Sequence, residues 1–344
     1  MGFTRRLRWA SEQAPARGAR EGSRVARRAL PVVLAACGLM LAPLAAWAAP
    51  STSASNGHFR TIDDPSAGTA SGQGTFPSGI NKEGALVGNY YTSTNQGFGF
   101  LYKDGTFTAL NDPHAGNGAF QGTDPLSINS GGAIVGYYID AGGVYHGFRF
   151  RHGKFTTLND PNAGTSASQG TVPQGINDDG DITGAYFGSG GVIHGFTLVD
   201  GTYTTVDDPH AGTAVGQGTA LCSVNNNGVA AGALVDAQGD HHGFLDRSGH
   251  LSPLINDPSA ANGSGLGTES FGINDKGEVA GQYFDAGGML HGFILIRGRF
   301  TTIDDPRGST GSSVQALSDT SELVGYYTDA NSAAHGFVFI PDGD

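Results

Sequence analysis

Aspartates that recur before proline could bind cations. Asn fills the slot before the aspartate in three copies, and Asp fills it in the others. Several oxygen ligands in one place suit a hard cation such as Ca²⁺, and a ring of like charges attracts one. Asn or Asp in such a slot also begins turns by hydrogen-bonding the backbone. A ring of six carboxylates with Ca²⁺ as cofactor therefore stays open beside the favoured turn interpretation. The aspartates are Asp64, Asp112, Asp160, Asp208, Asp257 and Asp305, some preceded by Asp63, Asp207 or Asp304.

Histidines that precede a Gly-Phe pair are the second recurring set. Imidazole is the commonest transition-metal ligand. However, His and Phe two residues apart point to the same side of a strand. We therefore expect each histidine to pack or hydrogen-bond beside its phenylalanine rather than to hold a metal. The set is His146, His194, His242, His291 and His335, with Gln96 in the first copy.

Three further repeated sets admit more than one interpretation. The segment 177–181, Asn-Asp-Asp-Gly-Asp, is partly calcium-like, although a hairpin turn fits it better. Aspartates that recur just after the tyrosine-containing strand could cap a loop or line a face: Asp140, Asp236, Asp285 and Asp329. Recurring tyrosines interchange with Leu234 and so indicate core, with sugar stacking as the alternative: Tyr90, Tyr138, Tyr186, Tyr283 and Tyr327.

Residues that break the repeat are the natural place to look for catalysis, because one active site needs different groups in different roles. They are Cys222, His114, His210, the doublet His241-His242, and Arg149 with Lys154. None forms a nucleophile–base pair, and neither a Gly-x-Ser-x-Gly nor a His-Glu-x-x-His motif occurs. We assign no catalytic residue. The carboxylates are numerous enough to supply a glycosidase pair, which leaves a hydrolase or lyase as an alternative.

The elements that position these residues form a repeat. The Asp-Pro prolines Pro65, Pro113, Pro161, Pro209, Pro258 and Pro306 are spaced by 48, 48, 48, 49 and 48 residues. Each copy reads as four short strands joined by Gly-containing turns, and no helical periodicity follows the first 48 residues. Four strands in such a unit are typical of a propeller blade. We predict an all-β, six-bladed β-propeller whose N- and C-terminal strands close the ring within one blade.

The first 48 residues predict export. Eight arginines precede an apolar run that ends at Ala46-Trp47-Ala48, which is the pattern of a secretory signal peptide. A lipoprotein signal at Cys37 is an alternative. We expect a short lead over 49–56, a single domain of six repeats over 57–344, and a secreted or periplasmic location.

Charge and cysteine content limit the partners. Removing residues 1–48 lowers Lys+Arg from 19 to 11 and Asp+Glu from 31 to 29, so the net charge moves from −12 to −18. Such an acidic chain repels nucleic acid and anionic lipid. Cys222 then stands alone, so no disulfide forms within the chain.

The repeat resembles a known family. Gly-Ile-Asn-x-x-Gly-x-x-x-Gly-x-Tyr, then Gly-x-x-His-Gly-Phe and Phe-Thr-Thr-Ile, resemble the bacterial extracellular HAF repeats, named after a His-Ala-Phe tripeptide. The resemblance covers 57–340. This chain has Gly in place of the Ala, and Phe-Thr-Thr-Ile-Asp-Asp-Pro where that family often has Asp-Leu-Gly. The resemblance implies export and a repeat fold, and it implies no activity.

Together these features predict an exported, non-catalytic, monomeric propeller that acts as a binding or structural scaffold. The long Gly/Thr/Ser loops after Asp-Pro are the expected contact surface, since loops on rigid scaffolds carry function. The partner is a protein or a glycan. A calcium-binding structural propeller and a glycan-active enzyme with a carboxylate pair in the channel are the alternatives.

Overall fold

The computed structural model describes residues 57–342, and the predicted signal peptide and lead over 1–56 lie outside them. This part of the chain is all-β, as predicted, with 24 strands and no helix. Among these residues there is accordingly no helix long and apolar enough to cross a membrane.

The strands form six antiparallel units of four, and each unit runs from an inner to an outer strand. Unit 1 has β2 (Gly74–Ile80), β3 (Leu86–Tyr91), β4 (Gly97–Lys103) and β5 (Thr106–Ala109). Unit 2 has β6 (Gly122–Ile128), β7 (Ile134–Ile139), β8 (Tyr145–Arg151) and β9 (Lys154–Leu158). Unit 3 has β10 (Gly170–Ile176), β11 (Ile182–Phe187), β12 (Ile193–Val199) and β13 (Thr202–Val206).

Units 4 to 6 repeat this order. Unit 4 has β14 (Gly218–Val224), β15 (Val229–Val235), β16 (His241–Arg247) and β17 (His250–Leu251). Unit 5 has β18 (Thr268–Ile273), β19 (Val279–Phe284), β20 (Leu290–Ile296) and β21 (Arg299–Ile303). Unit 6 has β22 (Ser312–Leu317), β23 (Leu323–Thr328), β24 (Ala334–Pro341) and, as its outer strand, β1 (Gly57–Ile62).

Strand β1 belongs to the last unit because it pairs antiparallel with β24, from Gly57 opposite Pro341 to Ile62 opposite Gly336. Neighbouring units are joined by single parallel bridges. Gly122 pairs with Gly97 between units 1 and 2, and Gly74 pairs with Ala334 between units 1 and 6. Each inner strand also contacts the inner strand of the next unit, and β22 contacts β2.

The two ends of each unit differ, and we name them for what they carry. The loop face carries the Asp-Pro turns, the long loops between units and the loops that join the second and third strands. The turn face carries the Asn-x-x-Gly turns and the tight turns before the outer strands. On the turn face, Asn177 N–H donates to Asp181 O at 3.1 Å and Gly180 adopts φ 91°, which confirms the hairpin interpretation of segment 177–181.

The core lies between units rather than inside one. Val87 of unit 1, for example, packs with Ile128, Ile134 and Phe148 of unit 2. The phenylalanine after each repeated glycine is at most 1 % exposed, at Phe100, Phe148, Phe196, Phe244, Phe293 and Phe337. Burial of one such ring is worth about 2–3 kcal/mol. Each sheet is therefore stabilised mainly by its neighbours.

The glycine before that phenylalanine allows a close approach of the next unit. A Cβ on Gly147 would lie 2.3 Å from Leu158 O and 2.7 Å from Pro173 Cδ of unit 3. Side chains cannot come that close, so the position requires glycine. This glycine therefore lets neighbouring sheets approach closely.

The two irregular repeats are accommodated outside the inner strands. The extra residue of the fourth copy lies in the outer strand. There Pro253 interrupts pairing, and Leu245 N–H donates to Ser252 Oγ at 2.9 Å instead. The sixth copy is shorter because its Asp-Pro turn is separated from Gly311 by a briefer loop. An outer strand and a surface loop are where such changes disturb packing least.

Candidate functional site

The Asp-Pro turns connect each unit to the next on the loop face through the backbone N–H of the aspartate. Asp112 N–H donates to Thr123 Oγ1 at 2.8 Å, and Asp112 Oδ1 accepts from His114 N–H at 2.9 Å. The second contact is the side-chain-to-backbone bond of an Asx turn. The same pair of bonds recurs at Asp64, Asp160, Asp208, Asp257 and Asp305.

These six aspartates do not converge on one another. All are at most 9 % exposed. Among residues 57–342 no group of three or more His, Cys, Asp or Glu side chains lies close enough to hold a metal ion. Their arrangement matches the turn interpretation, and a Ca²⁺ ring at these positions stays a prediction.

The recurring histidines occupy a repeated cluster that we call the histidine clasp. In unit 6 the ring of His335 stacks on Tyr327, with ring centroids 5.0 Å apart and planes inclined by 21°. His335 Nδ1 lies 2.8 Å from Asp63 Oδ2 and Nε2 lies 3.7 Å from Asp329 Oδ2. Asp329 Oδ1 also accepts two backbone N–H groups of its own loop. The expected packing and hydrogen bonding of the histidine are confirmed, and the aspartate is a loop cap.

Four other units carry the clasp in related forms. His146 lies between Asn159 and Asp140, and His291 lies between Asp304 and Asp285. His194 contacts Asp207. His242 contacts Asn256 and Asp236. Two carboxylates flank the imidazole on opposite sides at His291 and His335, and the other three histidines each meet one carboxylate, so these groups orient the ring and do not surround a common ion.

The first unit corrects the sequence prediction. Tyr90 pairs across the strands with Phe98, as Tyr138 pairs with His146. Phe98 therefore holds the histidine position, and the assignment of Gln96 to it was wrong by two residues. The error arose because unit 1 contains two Gly-Phe pairs in succession, of which only the second is buried between units.

The clasp of unit 5 titrates differently from an exposed histidine. Burial lowers the pKa of His291, but the hydrogen bond and charge of Asp304, with those of Asp285, outweigh it and leave the pKa raised above 6.5. A raised histidine pKa contributes stability below pH 6.5 that is lost as pH rises through the folded-state value.

We expect His291→Gln to be less stable than the parent by about 1–2 kcal/mol at pH 5.5, and the difference to shrink by pH 8.5. Urea unfolding at both pH values measures it. His194→Gln is the matched control, because that ring is 29 % exposed and meets one carboxylate. Equal losses at both pH values would contradict a protonated His291.

The long loops of the loop face are held by hydrogen bonds to both of the units that they join. Ser168 N–H of the loop before unit 3 donates to Gly143 O of unit 2 at 2.8 Å. Gln169 Nε2 of the same loop donates to Ser189 O of unit 3 at 3.0 Å. Equivalent bonds recur at other junctions. Loops held in this way form a preorganised surface.

A cavity opens at the turn face where the six inner strands meet. It has a volume of about 100 Å³ and is lined by all six units. Around it each repeated asparagine donates its amide to the main chain of the next unit, as Asn129 Nδ2 does to Asn177 O at 2.9 Å. The chain of bonds runs from Asn81 to Ser318. The sequence predicts a turn at Asn177, but it does not predict the hydrogen bonds that these asparagines make to the next unit.

Two buried carboxyls inside the inner strands were also missed. Asp124 and Glu269 occupy equivalent positions in units 2 and 5, paired with Tyr137 and Gln282. Neither lines the cavity. One signal in the sequence distinguishes them from surface acids: the equivalent positions of units 3 and 4 hold the apolar residues Val172 and Ala220.

The other irregular residues do not assemble into one site. Cys222 is buried and lines the cavity. His114 and His210 are exposed and hydrogen-bond the Asp-Pro carboxylates. His241 is buried, with Nδ1 2.8 Å from Glu269 Oε1. Arg149 and Lys154 lie on an outer hairpin.

Solved structures with similar folds include several lectins. A fucose-specific lectin from Aleuria aurantia matches with a TM-score of 0.50 and 12 % identity over 85 % of this chain and 97 % of the lectin. Another structure of that lectin, described as a six-bladed β-propeller with a novel fucose recognition mode, matches with a TM-score of 0.49 and 12 % identity, covering 85 % and 94 %. The BP39L lectin from Burkholderia pseudomallei matches with a TM-score of 0.44 and 9 % identity, covering 80 % of each chain.

The described part of the chain has a fold of the β-propeller type. At 12 % identity, the likeness concerns fold alone. No family model and no curated protein matches the sequence.

Proposed function

We propose that residues 57–342 form a closed six-bladed propeller in which β1 completes the last blade. The register of β1 against β24 and the bridge from Gly74 to Ala334 support it, since they join unit 6 to β1 and to unit 1. The remaining junctions carry the same single parallel bridge. Radial repetition of the blades leaves only short, protected strand edges.

We further propose that this propeller is an exported, non-catalytic scaffold that binds its ligand on the loop face. The observation that carries the proposal is the histidine clasp, which repeats in five units instead of appearing once. A repeated site suits multivalent binding, whereas a catalytic site needs unlike groups in one place. The clasp remains partly accessible, with the side chain of His335 28 % exposed and that of Asp207 47 % exposed.

A glycan is the ligand class that this chemistry fits best. Partly exposed carboxylates accept hydrogen bonds from sugar hydroxyls, and the pinned loops lower the entropy cost of binding. The lectins of similar fold are consistent with this ligand class. The export signal predicted over residues 1–48 and the resemblance to HAF repeats fit a ligand outside the cytoplasm.

The test is a glycan array followed by titration calorimetry of the bound glycan. We expect a stoichiometry of several glycans per chain. Asp207→Asn should remove about one site, whereas Asp200→Asn on the turn face should remove none. One glycan per chain, or release of reducing ends from the bound glycan, would favour the hydrolase alternative. A partner captured only as protein would overturn the glycan assignment.

A further inference from the structure

The outer hairpin of unit 2 concentrates positive charge on an acidic protein. Strands β8 and β9 carry Arg149, Arg151 and Lys154, and His152 lies in the turn between them; all four are exposed. Arg149 and Arg151 are two residues apart and so project from one side of the strand. Lys154 lies directly opposite Arg151. The hairpin therefore presents three permanent cations on one side.

This charge has no counter-charge in contact with it within the described residues. None of the three cations makes an ion pair or a side-chain hydrogen bond with any residue of 57–342, where the Lys or Arg ion pairs are Lys82–Asp178 and Arg307–Asp305. Like charges directly opposite each other destabilise a strand pair. The pairing of Arg151 with Lys154 therefore costs stability, and no ion pair within residues 57–342 offsets that cost.

The equivalent turns show that the fold does not require the cluster. His152 adopts φ 52°, and the same position is Asp104 with φ 50° in unit 1 and Asp200 with φ 48° in unit 3. It is Ser248 with φ 52° in unit 4 and Arg297 with φ 50° in unit 5, so acidic, neutral and basic residues all occupy it. An acidic residue fits that left-handed position well. Unit 2 thus carries a basic hairpin where an acidic turn would be accommodated.

We infer that this hairpin, residues 149–154, binds a carboxylated linear polysaccharide. A row of exposed cations without internal partners attracts a polyanion. Membrane binding is disfavoured because Phe150 and Phe155 pack against each other at 4.8 Å and against the core, which leaves no apolar side chain at the tip to insert. A broad anionic surface would also face the rest of an acidic chain. A thread-like polymer can contact the hairpin alone.

The basic hairpin is a second binding surface, separate from the one proposed on the loop face. The tip of the hairpin belongs to the turn face, at the other end of the sheets. Its binding does not require the histidine clasps, so either proposal can fail without the other.

The full-length protein is tested on immobilised polygalacturonate in 50 mM NaCl. We expect binding that weakens steeply as NaCl is raised, because counterions are released on contact. Arg151→Gln/Lys154→Gln should lower the affinity at least tenfold. The control Arg60→Gln/Lys103→Gln makes the same change of net charge on other units and should change the affinity less than twofold.

Thermal melting shows that the variants are folded, and loss of the like-charge pair should leave the Tm of Arg151→Gln/Lys154→Gln equal or slightly raised. Equal weakening by both double variants would overturn the inference, because net charge alone would then explain binding. So would a lack of binding at 50 mM NaCl. Preferential binding to phosphatidylglycerol vesicles or to duplex DNA would overturn the assignment to a polysaccharide.

Discussion

Replacing Asp124 by Asn is expected to stabilise the protein above pH 7. The side chain is buried, Oδ2 accepts from the Tyr137 hydroxyl at 2.9 Å, and Oδ1 has no hydrogen-bond partner within residues 57–342. Burial raises the pKa of this carboxyl from 3.8 to about 7, against a smaller lowering effect of the Tyr137 bond. The ionised carboxylate of Asp124 is therefore poorly solvated.

The sign of the pH dependence follows from linkage. Because the folded-state pKa exceeds the unfolded value, this group costs nothing below about pH 4, and its cost grows until about pH 7. The largest cost consistent with that shift is about 4 kcal/mol. An asparagine avoids the charge but leaves part of its amide without a partner, so we expect a net gain of about 2 kcal/mol at pH 8.

Glu269→Gln is the matched comparison, and we expect it to lower the stability of the protein. Glu269 occupies the equivalent inner-strand position, but its carboxylate meets His241 Nδ1 at 2.8 Å and Gln282 Nε2 at 2.5 Å. Removing that charge leaves His241 without its counter-ion. Urea unfolding of both variants at pH 5 and pH 8 measures the contrast. Destabilisation of similar size in both variants at pH 8 would contradict a desolvated Asp124.

Removing Arg307 is expected to loosen the strand contributed by the N-terminal end. Its guanidinium holds Asp305 through Nε at 2.9 Å and Nη2 at 2.6 Å, donates from Nη1 to Thr61 Oγ1 of β1, and lies 4.9 Å above the Tyr327 ring. The other outer strands are tied to their units by tight turns, whereas β1 is not. Arg307 thus fastens the one outer strand that could separate without a turn opening.

We expect Arg307→Ala to lose about 2–3 kcal/mol, the value of charged hydrogen bonds to a buried carboxylate, and to lower the Tm by roughly 5 °C. Amides of β24 that face β1 should exchange with solvent faster, while those of unit 3 should not. His114→Ala is the control, because His114 contacts Asp112 in the same kind of turn without reaching an outer strand. Unchanged protection of β24 would show that Arg307 does not hold β1.

Much of the local structure could be predicted from the residues. The Asn-x-x-Gly turns and the Asp-Pro turns follow from short-range chemistry, in which a side chain meets backbone only a few residues away. The packing of the histidines follows from the alternation of side chains along a strand. The prediction failed at Phe98, where two Gly-Phe pairs in succession satisfy the same pattern. Only pairing with Tyr90 selects the second pair.

The sequence by itself determined the repeat, the order of four strands in each copy and the turn residues, because hydrophobic alternation and turn chemistry act within one unit. Tertiary structure decided which side chains meet across units. Asp124 and Glu269 became buried, the asparagines formed a chain around the cavity, and Arg149, Arg151 and Lys154 found no side-chain partner among residues 57–342. These outcomes depend on how neighbouring units pack, and burial and charge pairing are properties of that packing rather than of residue type.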